Sequence, residues 1–193
     1  MKNLKMKTLK SFLSICLIAT LIPACSQNKK PTKSTEINST AQVPDVDIHT
    51  AVLYGNIEAV KQYIAAGTDL NTKEPMGGST PLISAITFDQ PEIAKALIEA
   101  GADLEIQNND GSSALHVAAF FCRVEMVQLL VDAKVDQSKK NNYGATALEI
   151  ISGPFADIKP VYQMMQAQLG PLGLKLDLSE LKKNRPIVAE ILK

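Results

Sequence analysis

A repeat of 33 residues constrains the fold of this chain more than any other feature of its sequence. Hydroxyl residues and leucines recur with this period: Thr80, Ser113 and Thr146, and Leu82, Leu115 and Leu148. An upstream copy, beginning at Asp47, aligns at a period of 34 because the loop KEPMGGST holds one extra residue, which loops accept readily. A period of this length is typical of solenoids, in which each unit buries its apolar face only by stacking on its neighbours.

Each copy of the repeat predicts a pair of short helices. The first helix begins at the hydroxyl residue, whose side chain can accept a hydrogen bond from a free backbone N–H group. The second helix carries apolar residues at helical spacing, and it ends at a glycine such as Gly67 or Gly101, where a left-handed residue stops a helix. The sequence therefore predicts an all-α solenoid of stacked helix–turn–helix units.

The repeat resembles the ankyrin repeat, which has a period of about 33 residues and a T-P-L-H-x-A signature. The matching pieces are TPLISA, SALHVAA, TALEII, EAGADLE and AAGTDLN. The resemblance implies an ankyrin-repeat domain over residues 45–193, with a C-terminal capping helix pair over residues 171–193. We expect four units before the cap, over residues 46–74, 75–107, 108–140 and 141–170.

Prolines predict that the C-terminal part departs from the regular pattern. Pro154 and Pro160 predict that the helices of the fourth unit are shifted or shortened, since proline disrupts a helix interior. Pro186 suits the first turn of a final helix. We expect that helix to carry three apolar residues: Ile187, Ile191 and Leu192.

The N-terminal residues indicate targeting rather than a folded domain. Residues 1–24 hold four lysines and no acidic residue, and the apolar run Phe12–Ile22 is shorter than the roughly 20 residues that span a bilayer. The run ends in LIPACSQ, which resembles a bacterial lipoprotein signal, where a small residue precedes a cysteine that receives a lipid. Ala24 and Cys25 fit that pattern. The alternative is a plain cleaved signal with an incidental cysteine.

The lipoprotein resemblance implies a signal peptide over residues 1–24 and a lipid anchor on Cys25. Residues 25–44 are rich in Ser, Thr, Lys, Asn and Gln, so we expect a flexible tether there. The neutral Ser26 after the cysteine implies an outer-membrane location facing the periplasm, provided that the bacterium has two membranes.

Side chains that could perform catalysis are few. His49 and His116 are two units apart, which places them roughly 20 Å from each other at ~10 Å per packed helix layer, too far to share a metal. The resemblance implies that each histidine hydrogen-bonds to a neighbouring loop. Cys122 lies in a turn beside Arg123, so it is either a structural thiol or a thiolate that the arginine favours. We favour the structural role.

Charge and motifs argue against several classes of ligand. The chain has 20 basic and 20 acidic residues, and 16 basic against 20 acidic remain once residues 1–24 are set aside. A mildly acidic body argues against a nucleic-acid partner. Gly77 and Gly78 lack the lysine and the strand of a phosphate-binding loop. The sequence thus predicts no enzyme, no cofactor, no metal site and no small-molecule substrate.

Aromatic residues mark the predicted contact surface. The ankyrin resemblance implies that partners contact the loop tips and the two positions that close each first helix. Tyr54, Phe88 and Phe121 occupy the second of these positions, so stacking would align them on the concave face, with Phe120 beside them. Aromatic side chains are enriched at protein interfaces. The alternative is that these rings cover neighbouring loops or fill the seams between units.

The sequence therefore predicts a protein-interaction module that is held in the cell envelope by a lipid and binds an unidentified protein. Loop-tip residues complete the predicted contact surface: Met76, Asn109, Asp110, Asn142 and Tyr143. Two roles stay open for such a module. One is a general scaffold, and the other is an inhibitor or immunity protein that neutralises an exported enzyme or toxin.

Overall fold

The computed structural model describes residues 44–193, and these residues form nine α-helices and one short 3-10 helix, Gly170–Leu172. The bounds of the α-helices are α1 Ile48–Leu53, α2 Ile57–Ala65, α3 Pro81–Thr87, α4 Pro91–Glu99, α5 Ala114–Phe120, α6 Val124–Asp132, α7 Ala147–Ser152, α8 Phe155–Leu169 and α9 Leu178–Ile191. Over residues 44–193 there is no β-strand, so the predicted all-α class is confirmed. In the same range no helix has both the length and the apolar character needed to cross a membrane. The predicted signal peptide, Cys25 and most of the tether lie outside the described residues.

The first six helices form three similar pairs. Within each unit the two helices pack together, α1 with α2, α3 with α4, and α5 with α6. The first helices also pack side by side along the array, from α1 through α3 and α5 to α7. The 33-residue period therefore appears as one helix pair per unit, as the sequence predicts.

Side chains at the helix starts account for where the helices begin. The Thr80 hydroxyl accepts a hydrogen bond from the Ile83 backbone N–H at 3.3 Å, and Thr146 does the same for Glu149 at 3.3 Å. The Glu149 carboxylate in turn accepts from the Thr146 backbone N–H at 2.8 Å, which completes a capping box. The predicted role of these hydroxyl residues is therefore confirmed.

A continuous apolar core runs along the array between the two rows of helices. Aliphatic side chains with less than 3% exposure come from both helices of the regular units: Val52, Val60, Leu82, Ile86, Ile93, Leu97, Leu115, Val127 and Leu130. Each such side chain stabilises the fold by about 1.5–3 kcal/mol through burial. Because the core passes from one unit to the next, each unit depends on its neighbours for stability.

The fourth unit departs from the others after α7. The sequence predicts that Pro154 and Pro160 shift or shorten the helices of this unit; α8 is not shortened, since it has 15 residues and contains Pro160. Pro160 lies in the second turn, where it removes only one backbone hydrogen bond near the helix start. Tyr162, two residues further on, is fully buried, and its packing offsets that loss.

The C-terminal segment forms one helix rather than the predicted pair. α9 is continuous from Leu178 to Ile191 with Pro186 inside it. Its buried face holds Leu181, Arg185 and Val188, whereas Ile187, one of the three apolar residues expected on the final helix, is 44% exposed. Leu192, which was among the expected apolar residues, is buried on the same face as Leu181 and Val188. Contacts with neighbouring helices therefore bury this face rather than the one that holds Ile187.

α9 also occupies an unexpected position. It packs against α6, the second helix of the preceding unit, and against α7, the first helix of its own unit. α4 makes the same two contacts in the second unit, with α2 and α3. α9 is therefore the outer helix of the fourth unit, and α8 is an additional helix between the two members of that pair. This arrangement determines what covers the predicted contact residues.

Candidate interaction surface

The three aromatic residues that we expected to form an exposed row have different surroundings. Tyr54 follows α1 and is 80% exposed. Phe88 follows α3 and is half-buried against the core. Phe121 follows α5 and is only 3% exposed. The prediction of a continuous exposed row is therefore wrong at Phe121.

The C-terminal helices cover the two adjacent phenylalanines. The Phe120 ring lies 4.8 Å from the ring of Tyr162 in α8, centroid to centroid, and the Tyr162 hydroxyl donates to the Phe120 carbonyl at 2.6 Å. The Phe121 ring packs edge-to-face on Phe120 at 4.9 Å and lines a groove together with Leu181 of α9. Phe120 and Phe121 thus fill a seam, which is the alternative that the sequence left open.

Arg185 forms the polar centre of this seam. Its Nη2 atom donates to the carbonyls of Ile151 at 2.7 Å and Gly153 at 2.9 Å, at the end of α7. Its Nη1 atom lies 3.5 Å from the Tyr162 hydroxyl, and its guanidinium lies over the Phe155 ring at 6.0 Å. Sequence reasoning missed both Tyr162 and Arg185, which join α5, α7, α8 and α9.

Cys122 has the surroundings of a structural residue. It is buried and unpaired by any disulfide, and burial raises the pKa of its thiol to about 11. The thiol is therefore protonated at neutral pH, and a thiol is a poor nucleophile in that state. The neighbouring Arg123 is paired with Asp89 at 2.8 Å. These surroundings favour the structural interpretation of Cys122.

The loop tips are linked to one another across the units. Met76 is 81% exposed, and the other predicted tip residues are exposed as well. The Asn109 side-chain amide donates to the Met76 carbonyl at 3.1 Å, and that of Asn142 donates to the Asn109 carbonyl at 2.9 Å. The Tyr143 hydroxyl lies 3.2 Å from the Asp110 carboxylate. The two asparagine amides are therefore used within the fold, whereas Met76 at 81% exposure and Tyr143 at 50% exposure present apolar surface to solvent.

Two glycines permit this close approach of the loops. Gly78 and Gly111 both have positive φ, +68° and +71°. A Cβ atom at Gly111 would lie 2.6 Å from the Asn142 backbone nitrogen, and one at Gly78 would collide with Asn109. Only glycine fits such positions without strain, so Gly78 belongs to a structural turn.

The two histidines differ in their contacts. His116 Nε2 lies 3.2 Å from the Ala145 carbonyl of the next unit, and His116 Nδ1 accepts from the Ser113 backbone N–H at 3.3 Å. These contacts fit the neutral ring, and burial lowers the pKa of His116. The predicted loop contact is confirmed for His116 and wrong for His49, whose ring nitrogens are buried without a hydrogen-bond partner among residues 44–193. At the start of the first unit, the Asp47 carboxylate caps α1 by accepting a hydrogen bond from the Thr50 backbone N–H at 3.0 Å.

The described residues present exposed apolar surface. Over residues 44–193, no group of three or more His, Cys, Asp and Glu side chains is placed to hold a metal ion. The exposed apolar side chains that remain, chiefly Tyr54 and Met76, are suited to packing against another molecule.

Comparison with known proteins agrees with this geometry. Residues 48–141 match the family model described as ankyrin repeats (3 copies). Protein phosphatase 1 regulatory subunit 27 from Homo sapiens is 42% identical over 64 residues, which are 33% of this chain and 41% of that protein. Inversin from Gallus gallus is 34% identical over 73 residues, 38% of this chain and 7% of inversin. The crystal structure of the ankyrin repeat domain of Bcl-3, a member of the IkappaB protein family, superposes with a TM-score of 0.52 at 29% identity, covering 60% of this chain and 50% of that one.

These similarities confirm the predicted fold: the chain contains ankyrin repeats, and the described residues fold as an ankyrin-repeat domain. The chain spans less than half the length of these two curated relatives. Ankyrin repeats are protein–protein interaction modules, so the coarse prediction of a binding module is supported.

Proposed function

We propose that this ankyrin-repeat domain binds a protein partner through a contact surface made of exposed and half-buried residues that follow the first helices or lie at the loop tips. We define the contact surface by seven residues: Tyr54, Met76, Phe88, Asn109, Asp110, Asn142 and Tyr143. Phe120 and Phe121 are no longer part of it, because the C-terminal helices cover them.

The exposure of Tyr54 is the observation that carries this proposal. The matching position in the third unit, Phe121, is buried and contributes to the core. Tyr54 has no such role, since 80% of its surface is open to solvent. Exposed tyrosines supply large contact area at low entropic cost and are enriched among the residues that dominate binding energy. Tyr54 is therefore our first candidate for such a residue.

The partner can be identified by crosslinking from the contact surface. A photo-reactive amino acid at position 54 should capture a protein in envelope fractions, whereas the same group at the exposed Gln62 of α2 should not. With the captured protein purified, Tyr54→Ala should weaken binding at least ~30-fold, or about 2 kcal/mol. The same substitution should change the free energy of unfolding of the domain by less than about 1 kcal/mol, as is usual for surface positions.

A control variant distinguishes specific binding at the contact surface from non-specific binding to the domain. Gln62→Ala should leave the affinity unchanged. Equal weakening by Tyr54→Ala and Gln62→Ala, or no weakening by Tyr54→Ala, would contradict the proposed surface. If the captured partner is an enzyme or toxin, adding the domain to it distinguishes an inhibitor from a scaffold. The name of one relative, a phosphatase regulatory subunit, favours trying that assay early.

We also propose that Cys25 carries the lipid that holds the domain in the bacterial envelope, at the outer membrane and facing the periplasm. The support is the lysine-rich, apolar N-terminal sequence ending in IPAC, followed by the neutral Ser26. Several acyl chains anchor a protein stably, whereas one chain holds it only marginally. Cys25→Ala should therefore move the protein out of the detergent-extracted membrane fraction or leave it as an unprocessed precursor. An unmodified Cys25 in the mature protein, measured by mass spectrometry, would contradict the anchor.

A further inference from the structure

A groove lies between the turn that follows α5 and the beginning of α9. It has a cavity volume of about 180 Å³. Its apolar floor includes Phe121, Met126 and Leu181, which are all less than 5% exposed, and Leu176 lines it as well. The floor is thus part of the domain core that remains reachable from the groove.

Acidic residues surround this floor. Four carboxylates line the groove: Asp89, Glu125, Asp177 and Glu180. Arg123 is the only cation among the lining residues; it pairs with Asp89, while its Nε and Nη2 atoms are buried without a hydrogen-bond partner among residues 44–193. Its Nη1 atom is 2.8 Å from the Asp89 carboxylate, its guanidinium lies over the Phe121 ring at 5.9 Å, and its side chain is only 15% exposed.

Two of the four carboxylates are available to a ligand. The Asp177 carboxylate caps α9 by accepting from the Ser179 backbone N–H at 2.8 Å, and Asp89 pairs with Arg123. Glu125 and Glu180 are exposed, and neither takes part in an ion pair within residues 44–193. The groove therefore presents a negative rim above an apolar floor.

We infer that this groove binds a lysine or arginine side chain of a protein partner. The aliphatic stem of such a side chain packs on an apolar floor while its charged end stays at the polar edge, where Glu125 and Glu180 lie. The charge of the whole domain favours the same partner. Seven of the 20 basic residues precede residue 44 but only one of the 20 acidic residues does, so the repeats are net acidic. This site is formed by different residues from the contact surface and goes beyond the function proposed above.

The two glutamates also lie in the first turns of α6 and α9, where acidic residues stabilise a helix. Glu92 provides the comparison that separates this role from binding. It occupies the first turn of α4, 33 residues before Glu125, and it does not line the groove. Neutralising Glu92 therefore tests the helix effect alone.

Two short peptides test the inference directly. Acetyl-Leu-Lys-Leu-amide and its glutamine counterpart, acetyl-Leu-Gln-Leu-amide, would be titrated into the full chain while backbone amide signals are followed by NMR. The lysine peptide should shift signals of residues 121–126 and 177–184, and added salt should weaken the binding of this peptide. The double variant Glu125→Gln, Glu180→Gln should bind it about fivefold more weakly, as expected for two lost partly exposed ion pairs. Glu92→Gln should bind it as the unaltered chain does.

Several results would overturn the inference. They are equal binding of the lysine and glutamine peptides, equal weakening by Glu92→Gln, and peptide-induced shifts confined to other parts of the domain. Thermal melting of each variant shows whether the domain is still folded, and we expect the double variant to melt within a few degrees of the unaltered chain. If it does not, Glu125→Gln and Glu180→Gln singly provide the same test, each with a smaller loss of affinity.

Discussion

Arg185→Ala is expected to lower the free energy of unfolding by about 3–5 kcal/mol, because it leaves buried polar groups without partners. The carbonyls of Ile151 and Gly153 lose their charged donor, whereas the Tyr162 hydroxyl keeps its bond to the Phe120 carbonyl. Truncation also opens a cavity between α7, α8 and α9. A small domain is stable by only about 5–15 kcal/mol in total, so this change removes a large share. Urea unfolding followed by circular dichroism measures it.

Two further variants on α9 make the result specific. Lys182 is exposed on the same helix, and Lys182→Ala should change stability by less than about 0.5 kcal/mol. Arg185→Lys keeps the positive charge but not the planar fork that reaches two carbonyls, so its effect should lie between the other two. A loss below about 1 kcal/mol for Arg185→Ala would mean that the seam does not depend on this side chain.

Phe121→Ala is expected to cost about 3–5 kcal/mol of stability, the usual range for removing a buried phenylalanine. Tyr54 occupies the same position in the first unit, yet Tyr54→Ala should cost less than about 1 kcal/mol, because that ring is exposed. Phe88 is half-buried, so Phe88→Ala should fall between them. Stability should therefore fall in steps along three matching positions of the repeat, as a series of urea titrations would measure.

The order of the three losses tests the fold independently of any partner. Equal losses for Tyr54→Ala and Phe121→Ala would contradict the different burial of the two rings. A small loss at Phe121 would also contradict the seam between α5 and the C-terminal helices, since Phe121 lines the groove beside Leu181.

The regular part of the fold could be predicted from the sequence because its information is local and repeated. The hydroxyl residues Thr80 and Thr146 begin helices as expected, and His116 contacts the next unit. Each of these contacts joins residues within one unit or in neighbouring units, so it recurs with the repeat and can be predicted from the period of the sequence. The exposure of Tyr54 and Met76 agrees with the contact positions that the ankyrin resemblance implies.

The C-terminal cover could not be predicted in the same way. Phe121 lines a groove together with Leu181 of α9, which lies 60 positions later and outside the repeat. A signal for α9 exists in the spacing of Leu181, Arg185, Val188 and Leu192, which places them on one helix face. The charged Arg185 interrupts this apolar stripe. From the sequence alone, the face that contains Ile187 is therefore an equally good candidate for burial. Only the carbonyls at the end of α7 explain the arginine.

The position of α9 restricts how the array can grow by duplication. A second copy of the second unit, residues 75–107, would join surfaces much like those already in contact, because α3 packs on both α1 and α5. A unit inserted after residue 140 would instead separate α9 from α6. It would also place a regular helix against Phe121, and the surface of that helix would not fit the Phe121 ring as α9 does. We therefore expect natural length variants of this protein to gain or lose units before residue 108, while the third unit and everything after it are inherited together as one block.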